Sequence, residues 1–178
     1  MDKKVRLAGI AYETLVNGPG LRRVFFSQGC IHNCKGCFNK ETHSFTDGEE
    51  MDMDELIKAV QENPMLEGIT FSGGDPWEQA DKFAYMAKKF KDLGLNIWSY
   101  TGYTYEYILE NLDKRPGWRE FINNIDVLVD GRFVEELKNE LTNNILLKKV
   151  KKMLKNNYCN TKIKCNRELI YRQASFCV

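Results

Sequence analysis

No stretch of this 178-residue sequence approaches the apolar length of a membrane-spanning helix. Met1–Arg6 leads into no signal-peptide core. Those two absences predict a cytoplasmic protein without a membrane partner. Thiols stay reduced in that compartment, so the six cysteines read as metal ligands or free thiols before disulfides. No internal repeat is visible, which sets aside solenoids and propellers. A large charge imbalance is missing too: the net charge is +1. With 43% hydrophobic and 29% charged residues, the chain has the composition of one globular domain of ordinary size.

The small net charge conceals an asymmetry. Lys138 to Arg172 holds ten Lys and Arg against two Glu, a surplus of eight, so the rest carries −7. From Glu140 to Lys164 there is neither glycine nor proline. Leu141, Ile145, Val150, Met153 and Leu154 can share one stripe of a basic amphipathic helix. Tyr158 and Tyr171 are the only aromatic residues of the Lys138–Arg172 segment, too few to interleave with the lysines as a nucleic-acid surface would need, so a solvated face is expected there. The chain thus divides into a core, residues 1–137, and a Lys/Asn-rich tail, residues 138–178, helical in part.

In the core, a lead-in ends at the tight turn Asn17-Gly18-Pro19-Gly20. Strands are expected at Leu21–Ser27, Ile69–Phe71, Leu95–Tyr100 and Ile125–Val129. A helix begins at Asp52, a cap with Glu55 as its box partner, and stops at Asn63-Pro64. A longer helix runs from Pro76 to Leu93 with Gly94 as its C-terminal cap, and another lies near Thr104–Leu112. Strand–helix alternation implies a parallel sheet with helical crossovers. The units are too few for an eight-fold barrel, so an open, partial (β/α) barrel is expected.

The first chemical signal is Gly29-Cys30-Ile-His-Asn-Cys34-Lys-Gly-Cys37-Phe-Asn-Lys40. Spacings of four and then three let one short loop present three thiolates to one inorganic cluster. A [4Fe–4S] cubane held by three thiolates keeps one iron open to a reacting ligand. The alternative is a structural zinc held by Cys30, Cys34, Cys37 and either His32 or His43. Structural zinc prefers two Cys pairs from separate hairpins, and no second pair lies nearby.

The second signal is Ser72-Gly73-Gly74-Asp75-Pro76, between a strand end and a helix start. Glycines let a ligand approach the backbone, strand-end carbonyls can accept from an ammonium group, and Asp75 can add charge. Asp before Pro, with Glu78 following, is equally an ordinary capped helix start. Both loops sit at carboxyl ends of successive strands and should share one rim. A three-thiolate cluster beside an ammonium-binding loop fits S-adenosylmethionine, whose methionine end can chelate the free iron. One electron into the sulfonium would then release a 5′-deoxyadenosyl radical.

With these motifs the chain resembles the radical-SAM superfamily, and within it the activases of glycyl-radical enzymes, above all the activating proteins of anaerobic ribonucleoside-triphosphate reductase. The resemblance is carried by Asn17–Gly20, Gly29–Lys40, Ser72–Pro76, Ile97-Trp-Ser-Tyr-Thr-Gly-Tyr103 and Val127-Leu-Val-Asp-Gly-Arg-Phe133. It implies a radical-SAM fold and a [4Fe–4S] cluster on Cys30, Cys34 and Cys37. It also implies S-adenosylmethionine packed against Gly36 and Phe38, with its amino group at Gly73 and Gly74 and with Ser72 and Asp75 in the same loop. Trp98, Tyr100 and Asp130 would line the same rim. The implied reaction takes a hydrogen from a glycine in the large catalytic subunit of the reductase. The implied electron source is a flavodoxin-like donor.

An activase for another glycyl-radical enzyme, such as pyruvate formate-lyase, is the rival within enzymes. Those chains are generally longer. A zinc-stabilised binding module is the rival of another class, and it leaves Ser72–Pro76 without a role. The family's Arg-Gly-Ser-Ser-Asn-Gln-like segment has no counterpart here beyond Tyr171–Ser175, so the tail departs from the pattern. Cys159, Cys165 and Cys177 fall in it and are expected to be incidental thiols.

Overall fold

The computed structural model describes residues 2–134 and the backbone of Val150–Lys152. Its strands are β1 (Lys4–Thr14), β2 (Arg22–Ser27), β3 (Glu49–Asp52), β4 (Gly68–Gly73), β5 (Asn96–Tyr100), β6 (Val127–Val129) and β7 (Val150–Lys152). Its α-helices are α1 (Met53–Gln61), α2 (Ala80–Asp92), α3 (Tyr105–Asn111) and α4 (Trp118–Asn124). The strands form one sheet in the order β3-β1-β2-β4-β5-β6-β7. Its middle is parallel: β2 pairs with β4, β4 with β5, and β5 with β6. Its margins are antiparallel, where β1 joins β2 and β3, and β7 joins β6. The two end strands do not meet, so the described sheet is an open α/β arrangement, as a partial barrel requires.

The parallel strands are buried on both faces, which explains their nearly continuous burial and weak alternation. One face carries Phe25, Ile69, Phe71, Ile97 and Leu128 into a core with Phe83, Phe90, Trp77, Trp118 and Phe121. Phe71 touches Phe83 edge-on at 5.0 Å and Trp77 meets Trp118 at 5.3 Å, separations favoured for aromatic pairs. The other face carries Trp98, Val127 and Val129.

Arg22 lies fully buried on β2 with its guanidinium 5.6 Å from the Trp98 ring centroid. It donates to Thr70 Oγ1, to the Ile69, Pro19 and Asn96 carbonyls, and to Asn96 Oδ1. Burial pulls its pKa down to about 10, against the upward pull of nearby Tyr100, Asp126 and Glu67.

Local chemistry accounts for the boundaries. Asp52 caps α1 by accepting from the backbone of Asp54 and Glu55. Gly94 closes the turn after α2 at φ +83°. The long helix expected from Pro76 begins as a 3₁₀ turn, Pro76–Gln79, before α2 takes over.

Two differences from expectation stand out. The lead-in is an eleven-residue strand, β1, and within the stretch expected as a basic helix Val150–Lys152 is an edge strand. Pairing with β6 supplies backbone partners there that a lone helix turn would not. The rest of the tail, with Leu141, Ile145, Cys159, Cys165 and Cys177, lies outside the described residues. No helix among the described residues is long and apolar enough to cross a membrane.

Candidate functional site

Four loops leave the carboxyl ends of the parallel strands β2, β4, β5 and β6, and they line one cavity. It holds Cys30, Cys34, Cys37 and His32 from the first loop, and Ser72, Gly73 and Gly74 from the second. Thr101 and Gly102 come from the third, and Asp130 to Val134 from the fourth. The two signals read from the sequence therefore meet, as the shared rim predicted.

The cysteine loop is closed at its base by Gly29 N donating to Thr42 O (2.8 Å) and Cys30 N to His43 O (3.2 Å). Inside it Asn33 adopts a left-handed φ of +46°, a bend that turns the chain between His32 and Cys34. Cys37 N then donates to Cys34 O at 3.2 Å. All three cysteines are half-buried free thiols. Burial above all pushes the Cys30 thiol up to about 11, the His32 backbone N–H opposes this, and the Asp75 charge and the other two thiols add to it. A bare thiolate is thus disfavoured at Cys30, and a cationic metal centre is what would compensate it. His43 Nε2 lies 3.4 Å from Cys37 Sγ.

Gly74 could not be another residue. A Cβ there would lie 2.5 Å from Gly29 O and 2.8 Å from Thr42 O, both backbone atoms of the cysteine loop. Gly74 N donates to Ser27 O and Asp75 N to Gly29 O, each at 2.8 Å. The second loop is therefore stitched to the first through the main chain.

Asp75 is fully buried and surrounded by protein donors. Its Oδ1 accepts from Trp77 N at 3.0 Å, the cap anticipated for a helix start. Its Oδ2 accepts from Thr101 Oγ1 at 2.9 Å and Gly102 N at 3.0 Å, and it pairs with His32 Nε2 at 2.6 Å. The expected contact between this carboxylate and a ligand's ammonium group is therefore not what its geometry favours. His32, named from the sequence only as a possible zinc ligand, spends its Nε2 on Asp75 instead. Its ring Nδ1 is buried with no partner among the described residues. That orphaned nitrogen, the three free thiols and the cavity they share fit a bound inorganic cluster with an organic ligand beside it.

The remaining candidates divide. Phe38 lines the cavity and meets Phe133 edge-on at 5.2 Å, while Gly36 stands in the loop at φ +73° and off the cavity wall. Tyr100 and Asp130 reach the cavity, and Asp130 also accepts from Tyr105 N at 2.8 Å, holding the start of α3. Trp98 is buried on the sheet face behind it. Asn39 and Arg132 line the cavity without having been singled out, although both fall in segments that carry the resemblance.

Residues 16–154 match the model of a family described as a 4Fe-4S single cluster domain, which defines the class of protein. The curated relatives narrow it. The anaerobic ribonucleoside-triphosphate reductase-activating protein of Vibrio cholerae is 37% identical over 131 residues, 68% of this chain and 80% of its own. That of Salmonella typhi is 36% identical over 132 residues, 70% of this chain and 82% of its own. That of enterobacteria phage T4 is 31% identical over 131 residues, 68% of this chain and 77% of its own. The chain belongs to the family of anaerobic ribonucleoside-triphosphate reductase-activating proteins. The crystal structure of QueE from Escherichia coli is a partial likeness at 15% identity and TM-score 0.47, covering 57% of this chain and 54% of its own. Membership in a 4Fe-4S family replaces the zinc-module alternative.

Proposed function

We propose that this protein activates an anaerobic ribonucleoside-triphosphate reductase by generating a glycyl radical in its large catalytic subunit. The observation that carries the reading is the convergence of three free thiols and the Ser72–Gly74 loop on one cavity at the carboxyl rim of the parallel strands. In it Cys30, Cys34 and Cys37 would hold a [4Fe–4S] cluster, and Ser72, Gly73 and Gly74 would receive the methionine end of S-adenosylmethionine. Together those groups would supply one-electron reductive chemistry able to remove a hydrogen from glycine.

The chain's own contribution is placement. Gly74, packed backbone to backbone on the cysteine loop, sets the separation of the two binding loops. Phe38 and Phe133 meet edge-on and give the cavity an apolar margin beside Cys37. Gly36 shapes the turn leading into that margin. The protein would work in the cytoplasm, with a flavodoxin-like donor as the source of the electron.

The test is anaerobic. The reconstituted protein is mixed with the reductase large subunit, S-adenosylmethionine and a low-potential reductant, and the EPR spectrum is recorded. A glycyl-radical doublet that disappears with Cys34→Ala supports the reading. A doublet on pyruvate formate-lyase and none on the reductase would transfer the activity to another glycyl-radical enzyme.

A further inference from the structure

Most large apolar side chains among the described residues are buried, but Ile31, Phe38 and Phe45 stand 53%, 51% and 49% exposed within one stretch of chain, 31–45. That stretch is the cysteine loop and the turn that closes it. Val134, on the fourth loop, adds a further exposed apolar residue to the cavity lining. Apolar residues scattered singly over a surface are ordinary, whereas several on one rim mark an interaction site.

Two of the rings are held on one side and open on the other. Phe38 meets Phe133 edge-on and lines the cavity. Phe45 lies over Gly29, so closely that a Cβ there would fall 2.6 Å from its ring. Ile31 sits between Cys30 and His32, which both line the cavity. An exposed ring whose position is already fixed gives up little rotamer freedom when a partner covers it, and such rings make good interface anchors.

The occupant follows from where the patch lies. Phe38 belongs both to the cavity lining and to the exposed surface, so whatever covers the patch reaches the cavity mouth. A hydrogen atom is transferred only at contact, with the reacting atoms about 3–3.5 Å apart, so the segment that gives it up must enter that mouth. An electron donor has no need to enter, and a second copy of this chain seated there would close the mouth to the substrate.

Resting on the glycyl-radical reading above, we propose that Ile31, Phe38 and Phe45 form the docking surface for the glycine-bearing segment of the reductase large subunit. The glycine, without a side chain, passes into the cavity, and apolar residues beside it in the partner rest on the two rings and Ile31. The cysteine loop then serves the partner protein with its outward residues and the metal centre with its inward ones.

The test uses Ile31→Ser and Phe45→Ser, with Met65→Ser as the control. Met65 is also exposed but precedes β4, at the opposite end of the sheet from the cavity. Each protein is reconstituted anaerobically, its iron and sulfide are counted, and the loaded fraction is used. Affinity for the large subunit is measured by biolayer interferometry, and the glycyl radical is recorded by EPR over a range of large-subunit concentrations. The 5′-deoxyadenosine formed without partner is quantified with dithionite as the reductant.

Ile31→Ser and Phe45→Ser should each weaken affinity roughly tenfold and raise the large-subunit concentration for half-maximal radical by the same factor. The radical plateau and the partner-free 5′-deoxyadenosine should stay at the wild-type level, and Met65→Ser should match wild type throughout. Phe45 also packs on Gly29, so if Phe45→Ser loads no iron, Ile31→Ser decides. The proposal is overturned if the loaded variants bind the large subunit as wild type does, or if Met65→Ser weakens binding as much. Unchanged affinity with slower reduction by a flavodoxin would give the patch to the electron donor, and unchanged affinity with loss of a wild-type dimer in sedimentation would give it to a second copy. Either result overturns the proposal. A loaded wild type that neither binds nor activates the large subunit would overturn the glycyl-radical reading itself, whereas a wild type that does both and is matched by its variants overturns this inference alone.

Discussion

Replacing Asp75 with asparagine changes one atom of a fully buried side chain, and the consequence can be worked from its partners. Four donors converge on the carboxylate: Trp77 N, Thr101 Oγ1, Gly102 N and His32 Nε2. An amide offers one accepting oxygen. If that oxygen faces the three donors on the Oδ2 side, its NH₂ meets Trp77 N, donor against donor. The other orientation leaves the three donors unmatched. An unmatched buried donor costs about 1–3 kcal/mol, and with one to three of them left in either orientation about 3–5 kcal/mol is expected. A domain of this length loses about 2–4 °C of Tm per kcal/mol, so a fall of roughly 6–20 °C is expected. The assay is urea denaturation of the cluster-free protein, followed by tryptophan fluorescence because Trp77 and Trp118 adjoin the network. Asp75→Asn should lower ΔG by about 3 kcal/mol or more with an unchanged m-value. A loss under about 0.5 kcal/mol, as expected of an exposed carboxylate, would refute the anchoring role.

Other perturbations follow from the same geometry. Gly74→Ala should abolish iron loading, because the added Cβ meets two backbone oxygens of the cysteine loop that cannot rotate away; iron content after reconstitution checks it. Arg22→Met should destabilise by about 2–4 kcal/mol in urea unfolding, since the Ile69, Pro19 and Asn96 carbonyls lose their donor. Burial pushes the Tyr100 phenol up to about 12, against an ordinary value near 10. The folded chain therefore keeps a proton that the unfolded chain releases, and this contribution to stability is complete below pH 10 and lost as pH rises to 12. Tyr100→Phe should flatten that part of the wild-type stability profile, measured by denaturation at pH 9, 10 and 11.

What was legible in the sequence was local or depended on spacing. The cysteine loop and the Ser72–Pro76 loop announced themselves, and placing each after a predicted strand put them on one rim. Asp52 and Gly94 marked helix ends by chemistry that acts over two or three residues. β1 was hidden because its register is shifted between Leu7 and Gly9 and again between Ala11 and Thr14, which blurs the period-two pattern. β3, Glu-Glu-Met-Asp, is a polar strand at the sheet margin with no apolar run to reveal it. α4 did carry a signal, since Trp118, Phe121 and Ile122 have helical spacing behind the left-handed Gly117, but it is only seven residues long. Of Asp75 only the capping role could be read, and not its tie to the other loops. Its partners His32, Thr101 and Gly102 are 43, 26 and 27 residues away, and only the folded sheet brings those loops together.

The measurement that bears most directly on the cavity's chemistry is reductive cleavage of S-adenosylmethionine. The protein is reconstituted anaerobically with iron and sulfide and then reduced, and 5′-deoxyadenosine is quantified for wild type and Cys34→Ala. Product from wild type and none from Cys34→Ala is the predicted result. A wild-type protein that holds its cluster and releases no 5′-deoxyadenosine, or a Cys34→Ala variant that releases as much, would contradict the account.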